Sequence, residues 1–460
     1  MAIQKITSGI LADGAIVAAD IANGSITTAK IADGNVTAAK LATGAALPSQ
    51  SGNTTYYLTT DGTNSIWKAQ TALAVANTQV TGLVTASQIA NVANTQVTGS
   101  IEATQVGTTV SQLFGTRNRI INGNMVVSQR NGTSSVTPTD ASYPIDRWTT
   151  WLSQASKLTF QQNAGAVTPP TGFTYYSGIT SSSAYTVGVS EVFAFRQPIE
   201  GYNIADLDFG KATAKTITIS FWVRSSLTGT FGGGIANSAY DRTYPFSYTI
   251  STANTWEQKT ITIAGDTSGT WLTTNGIGMY VVFGLGVGAN LSGTAGAWSG
   301  NFYISATGAT SVVGTSGATF YITGVQLEVG STATPFERRL YNQELMNCYR
   351  YHYRITDDVS DYAGIAVGVI ADADDVFGIA HLPQTMRTSP TISISSASHF
   401  RITTVFGPDQ TCNAVQLGYA GATAPIIRAT GASGGLTAGG ARLITFNAST
   451  AGWIDFSAEL

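Results

Sequence analysis

The chain has 460 residues, 43% of them hydrophobic, which leaves room for two to four domains with real cores. Only 11% are charged, against roughly a quarter in ordinary globular proteins, and a formal net charge of −3 provides no basic footprint for nucleic acid. Two cysteines, Cys348 and Cys412, exclude a disulfide framework, and three scattered histidines lack metal-ligand spacing, so neither a metal nor another cofactor is expected.

Positions 11–20, 21–30, 31–40 and 41–50 share one pattern: an apolar residue first and mostly sixth, Ala second, and Gly14, Gly24, Gly34 or Gly44 fourth. A fixed short period means one structural unit stacked along an axis. Each unit offers one or two large apolar side chains, too few to offset the entropy of ordering a lone chain, so order has to come from partner copies. Three copies about a common axis would bring Ile21, Ile26, Ile31 and Val36 into a shared seam, the shaft of a homotrimeric fibre. The competing reading of 1–50 is an unstructured Ala/Gly/Thr linker. Over 51–115, Tyr56, Tyr57 and Trp67 mark a small β unit. Ala76-Asn-Thr-Gln-Val-Thr-Gly82 then recurs seventeen residues on, from Ala93 to Gly99. This second shaft region fits short strands or a brief helical bundle equally well.

From 116 the texture changes. Trp148, Trp151, Trp222, Trp256, Trp271 and Trp298 appear, and Ile217, Ile219, Phe221 and Val223 alternate with polar neighbours at the period of a half-buried strand. The apolar run 277–291 is too short and too rich in glycine to span a bilayer and reads as a buried strand and turn. Many strands with turn signals predict a β-sandwich or jelly roll over 116–333. Thr334-Pro-Phe-Glu337 has the form of a capping box, predicting a linking helix over 334–356 that starts at Thr334 and puts Tyr341, Leu345, Cys348 and His352 on one stripe. Residues 357–460 return to β texture, a smaller C-terminal domain whose last run, from Trp453, is expected to lie in a sheet. The expected fold is mainly β, with a repetitive shaft, a sandwich, one short helix and a terminal β domain.

Candidate chemistry is sparse. Gly431-Ala-Ser-Gly-Gly435 matches the nucleophile-elbow pattern, but that fold needs a histidine after the serine, and His352, His381 and His399 all precede Ser433. Asp372, Asp374 and Asp375 form a dense carboxylate cluster suited to glycosidic acid–base work or, more simply, to a solvated turn. A sugar stacks its C–H face on a ring while its hydroxyls bond to Asp, Asn and Arg. Tyr240, Asp241, Arg242 and Tyr244 offer that combination on one loop and are the glycan-binding candidates, the alternative being a loop packed on its own sandwich or on a trimer neighbour.

Three stretches carry a resemblance. The first is Asn118-Arg-Ile-Ile-Asn-Gly-Asn-Met-Val-Val-Ser-Gln-Arg130 with Ile145-Asp-Arg-Trp148. The second is Gly324-Val-Gln-Leu-Glu-Val-Gly-Ser-Thr-Ala-Thr-Pro-Phe-Glu-Arg338 with Cys348-Tyr-Arg-Tyr351. The third is Leu382-Pro-Gln-Thr-Met-Arg-Thr-Ser-Pro390 with Gly452-Trp-Ile-Asp-Phe-Ser-Ala-Glu-Leu460. Together they resemble the receptor-binding tail fibres of tailed bacteriophages, which carry a carbohydrate-binding-module-like jelly roll. The resemblance implies a homotrimer docked by its N-terminal end on the phage tail, baseplate or an adaptor, with its distal end on host surface polysaccharide. It implies no hydrolysis, so a non-enzymatic role is expected; the alternatives are a depolymerising tailspike using Asp372, Asp374 or Asp375, or a purely structural baseplate or shaft component. With no secretory pattern over 1–10, assembly in the host cytoplasm and a virion location are expected, without membrane insertion.

Overall fold

A computed structural model describes residues 14–27, 29, 31, 56–60, 65–69, 117–357, 362–403, 409–448 and 450–460. It divides into two compact units, Met1–Ser100 and Ile101–Leu460. In the first unit Gly14 and Gly24, ten residues apart, hold φ of +81° and +76°, the left-handed region that glycine alone enters without cost. Between them a 3-10 turn, Ala18–Asp20, is closed by the Val17 N–H donating to Asp20 Oδ2 at 3.0 Å. These two repeat glycines therefore share a backbone conformation, while Gly34 and Gly44 lie outside the described residues. Ile21, Ile26 and Ile31 of the predicted seam are 40–55% exposed, while Val36 and the seventeen-residue repeats lie outside the described residues. Tyr56, Tyr57 and Trp67 fall on an antiparallel hairpin of β1 (Tyr56–Thr60) and β2 (Ser65–Ala69).

The second unit begins with a sandwich. Its strands are β3 (Thr149–Leu152), β4 (Leu158–Gln162), β5 (Ser177–Ser181), β6 (Val192–Glu200), β7 (Ile217–Ser225) and β8 (Gly229–Ala236). They are followed by β9 (Thr243–Ile250), β10 (Glu257–Ile263), β11 (Ile277–Val287), a two-residue bridge of β12 (Ser292–Gly293) and β13 (Ser305–Ala306), and β14 (Thr319–Val329). Two five-stranded antiparallel sheets result, β10-β7-β14-β5-β4 and β3-β6-β11-β8-β9. The predicted inward set of β7, Ile217, Ile219, Phe221 and Val223, is fully buried between them with Trp148, Phe195, Phe246, Phe283 and Phe320. Trp148 stacks on Phe195 with ring centroids 5.0 Å apart. Each such side chain contributes about 1.5–3 kcal/mol by leaving water.

The helix departs from expectation. It is α1 (Tyr341–Tyr349), and the chain from 334 to 340 runs back over the outer face of the first sheet instead of starting a helix. The cause is a buried carboxylate: Glu328 accepts both the Thr334 N–H (2.8 Å) and the Thr334 hydroxyl (2.6 Å), so the supposed cap is spent on β14. Glu337 is likewise used elsewhere, accepting the Asn118 N–H at 2.7 Å. A buried charge left unbonded costs more than a missing helix cap, which decides the competition. His352 is not on the helical stripe either: it opens β15 (His352–Thr356), so the C-terminal β structure begins before residue 357.

That structure comprises β16 (Gly364–Ile370), β17 (Asp375–Ile379), β18 (Thr391–Ile394), β19 (Phe400–Thr403), β20 (Gln410–Tyr419), β21 (Ile426–Gly431), β22 (Ala441–Phe446) and β23 (Trp453–Ser457). Six of them close into a barrel in the order β16-β17-β21-β20-β19-β22, filled by Ile370, Val376, Phe400, Ile427, Ile444 and Phe446. Closure leaves no free sheet edge. The last strand, β23, is the centre of the three-stranded sheet β15-β23-β18, as its composition predicted.

The three stretches that carried the resemblance converge on one junction between sandwich and barrel. The Asn122 N–H donates to Glu344 of α1, Arg147 pairs with Glu459, and Arg350 makes a forked pair with Glu200 (2.8 and 2.5 Å). Arg387 donates to the carbonyls of Asn275, Ala458 and Glu459. His352 is almost fully buried, with Nε2 3.2 Å from Asp455 and Nδ1 3.9 Å from Asp146, contacts at ion-pair rather than hydrogen-bond alignment. Burial opposes a charge on this imidazole, but the two carboxylates outweigh it and raise its pKa above the ordinary value. Cys348 and Cys412 are free thiols; burial pushes Cys348 well up and Cys412 up to about 12, so both are unreactive packing groups.

Candidate functional site

The loop joining β8 to β9 holds Tyr240, Asp241 and Arg242, whereas Tyr244, expected on the same loop, is the second residue of β9; three of the four are committed to the protein. Arg242 forms a two-pronged pair with the buried Asp266 at 2.7 and 2.6 Å. Asp241 accepts from the Asn237 side chain at 2.6 Å, although its residue remains exposed. Tyr244 is buried, edge-on to Trp298. Thus the loop packs on its own sandwich, and these side chains fix its shape. Tyr240 is different. Its φ is +56°, a left-handed conformation that costs a side-chain-bearing residue of order 1 kcal/mol and persists only where its surroundings impose it.

What imposes it is a group of rings on the outer face of the second sheet. Tyr240 stacks on Tyr280 of β11 (4.8 Å, 18°) and lies 4.6 Å from Phe302 and 5.4 Å from Trp151 of β3. Trp151 and Phe302 are themselves stacked at 5.8 Å. Strand register explains the gathering: Trp151 is opposite Ala194, and Arg196, two residues along β6, is opposite Val282, so all point away from the core occupied by Phe193 and Phe195. Phe302 arrives on the excursion between β12 and β13, which lies directly against the Phe-Gly-Gly-Gly run of β8. A Cβ at Gly232 would stand 2.8 Å from the Ala306 nitrogen and one at Gly234 3.0 Å from the Ile304 carbonyl. Glycine is needed there so that the excursion can settle on the sheet.

Arg196 completes the platform. Its guanidinium carbon lies 4.3 Å from the Trp151 ring centroid and 5.1 Å from that of Tyr280, and Nη1 donates to the Tyr240 hydroxyl at 2.7 Å. Cation–π attraction of this kind contributes about 0.5–2 kcal/mol and fixes the guanidinium plane. Burial pushes the Tyr240 phenol far up, so its oxygen stays a neutral acceptor for Arg196. Phe302 is 37% exposed and Trp151 half-buried, leaving ring surface open beside the cation. Sequence analysis found Tyr240 alone; Trp151, Arg196, Tyr280 and Phe302 come from separate strands and loops. Their one sequence signal is aromatic or cationic residues at the outward positions of otherwise buried strands.

The other sequence candidates resolve into structural roles. Asp372 Oδ1 accepts the N–H groups of Asp374 and Asp375, a local turn, and Asp375 is tied to Arg428 and Thr430 on β21. Ser433 lies on a loop between β21 and β22 whose Gly434 and Gly435 are left-handed, with no helix behind it. The junction carries a half-open cleft of about 210 Å3 lined in part by Arg119, Arg339 and Arg350, each already paired, with Asp206, Glu344 and Glu200 respectively. Among the described residues, no helix is long and apolar enough to cross a membrane.

No protein-family model matches the chain, and no curated protein does. Among solved structures the chain is similar to a putative sugar binding protein from Bacteroides thetaiotaomicron VPI-5482, at 13% identity and a TM-score of 0.27, over 46% of this chain and 100% of that one. It is similar to the family 11 carbohydrate-binding module from Clostridium thermocellum (11% identity, TM-score 0.24, 44% of this chain, 100% of that one). It is also similar to the enzymatically active domain of tailspike protein 4 of bacteriophage CBA120, at 12% identity and a TM-score of 0.23, over 46% of this chain but only 21% of that one. Likeness at these scores carries no functional inference, which has to come from the side chains of the platform.

Proposed function

We propose that this chain is a tail fibre protein of a tailed bacteriophage and attaches the virion to host surface polysaccharide, binding without cleaving. The observation that carries the reading is the platform of Trp151, Tyr240 and Phe302 with Arg196: open ring faces for sugar C–H surfaces beside a donor for hydroxyls, held on a rigid sheet. The homotrimer is supported by Ile21, Ile26 and Ile31, whose side chains recur every five residues and stand exposed. Three chains make weak single sites into tight attachment through avidity. The N-terminal end docks on the tail, baseplate or an adaptor, and the site of action is the virion surface.

Incubation of the full chain with host envelope polysaccharide tests this. Retention of intact polysaccharide, abolished by Trp151→Ala with Phe302→Ala, is the expected result. Depolymerised product replaces attachment with a tailspike activity, and absence of both retention and product leaves the structural-component reading.

A further inference from the structure

Arg196 is a partly buried cation without a counter-ion. Among the described residues no carboxylate lies within ion-pair distance of it, whereas Arg242 on the neighbouring loop, and Arg119, Arg339 and Arg350 at the junction, each hold one. Nη1 bonds to the Tyr240 hydroxyl, but among the described residues neither the buried Nε nor Nη2 has an acceptor. A desolvated charge left unpaired is costly, and the rings offset only part of that cost. The same rings hold the guanidinium plane still beside the exposed faces of Trp151 and Phe302, so its remaining N–H donors are fixed in direction before any ligand arrives.

We propose that the platform selects an acidic saccharide: one sugar ring stacks on Trp151 and Phe302 while a carboxylate, or a sulfate or phosphate ester, takes the unused edge of the Arg196 guanidinium. This rests on the glycan-attachment reading and narrows it to a class of glycan. A carboxylate or phosphate suits an arginine fork in geometry, and the charged hydrogen bond it forms is roughly twice as strong as one to a neutral hydroxyl.

The test uses the labelled full chain on an array of neutral, uronic-acid, sialylated, sulfated and phosphorylated glycans. The expected result is retention confined to acidic glycans and weakened by added salt. Arg196→Gln should then lower it at least about tenfold, with Arg196→Lys intermediate because it keeps the charge and loses the planar fork. Melting curves establish that each variant is folded; should Arg196→Gln not fold, Arg196→Lys and the salt titration of the unmodified chain decide. Retention of neutral glycans that survives Arg196→Gln, or acidic binding indifferent to salt and to Arg196→Lys, overturns the acidic-group assignment and leaves glycan attachment standing. No retention on any glycan removes the attachment reading and this assignment with it.

Discussion

At the scale of single residues, the junction concentrates the groups whose charge matters most. His352 has a folded-state pKa raised above its unfolded value, so its contribution is complete below about pH 6.5, the unfolded value, and is lost as pH rises through the folded one. Asp455 runs the opposite way. Burial opposes its ionisation, but the hydrogen bonds from Arg354 and the ion pair with His352 prevail and lower its pKa to about 2, so its contribution is present above about pH 4 and disappears only on descent toward pH 2. Melting temperature should therefore fall between pH 6 and pH 9, and His352→Gln should flatten that slope; calorimetry across the range checks both. On the platform, Phe302→Ala removes a ring that is 37% exposed. It should weaken polysaccharide retention severalfold while shifting stability by no more than about 1 kcal/mol, measured by affinity electrophoresis and denaturant titration.

Among the elements, α1 shows what a short helix is for in this fold. Nine residues are too few to be stable alone. What anchors α1 is Glu344, which reaches the Asn122 N–H and pairs with Arg339 at 3.3 Å, both buried partners from the entry and exit of the sandwich. Glu344→Ala strips the buried Asn122 N–H of its acceptor and leaves Arg339 with Glu337 alone, at 3.6 Å, so urea unfolding should show a loss of about 1–3 kcal/mol. The elements also show where sequence reasoning holds and where it stops. The alternation of β7 was legible because burial of one strand face is a local, period-two signal. The helix start was not, because the claim of Glu328 on Thr334 is tertiary. Barrel closure was equally hidden, since it depends on β16 pairing with β22, some seventy residues later. Of the platform, only Tyr240 was visible: a loop aromatic stands out, whereas Trp151, Arg196 and Tyr280 read as ordinary strand residues until register places them together.

For the molecule as a whole, the division into Met1–Ser100 and Ile101–Leu460 separates two kinds of stability. The second unit has cores of its own, so deleting residues 1–115 should leave a folded body with an unchanged melting transition while preventing incorporation into virions, read by particle composition. The proposed trimer is tested by Ile21→Asp with Ile26→Asp, which should reduce the mass seen by light scattering from three chains to one with the sandwich still melting normally; a single-chain mass for the unsubstituted protein overturns the trimer.

The pairing of Arg147 with Glu459 has a consequence for biosynthesis. The two residues are 312 positions apart, so at a translation speed of about 5–20 residues per second Arg147 emerges roughly fifteen to sixty seconds before its partner has been polymerised. Throughout that interval the buried guanidinium has the Pro198 carbonyl, at 2.7 Å, but no carboxylate to balance its charge, and any polypeptide released early keeps that defect permanently.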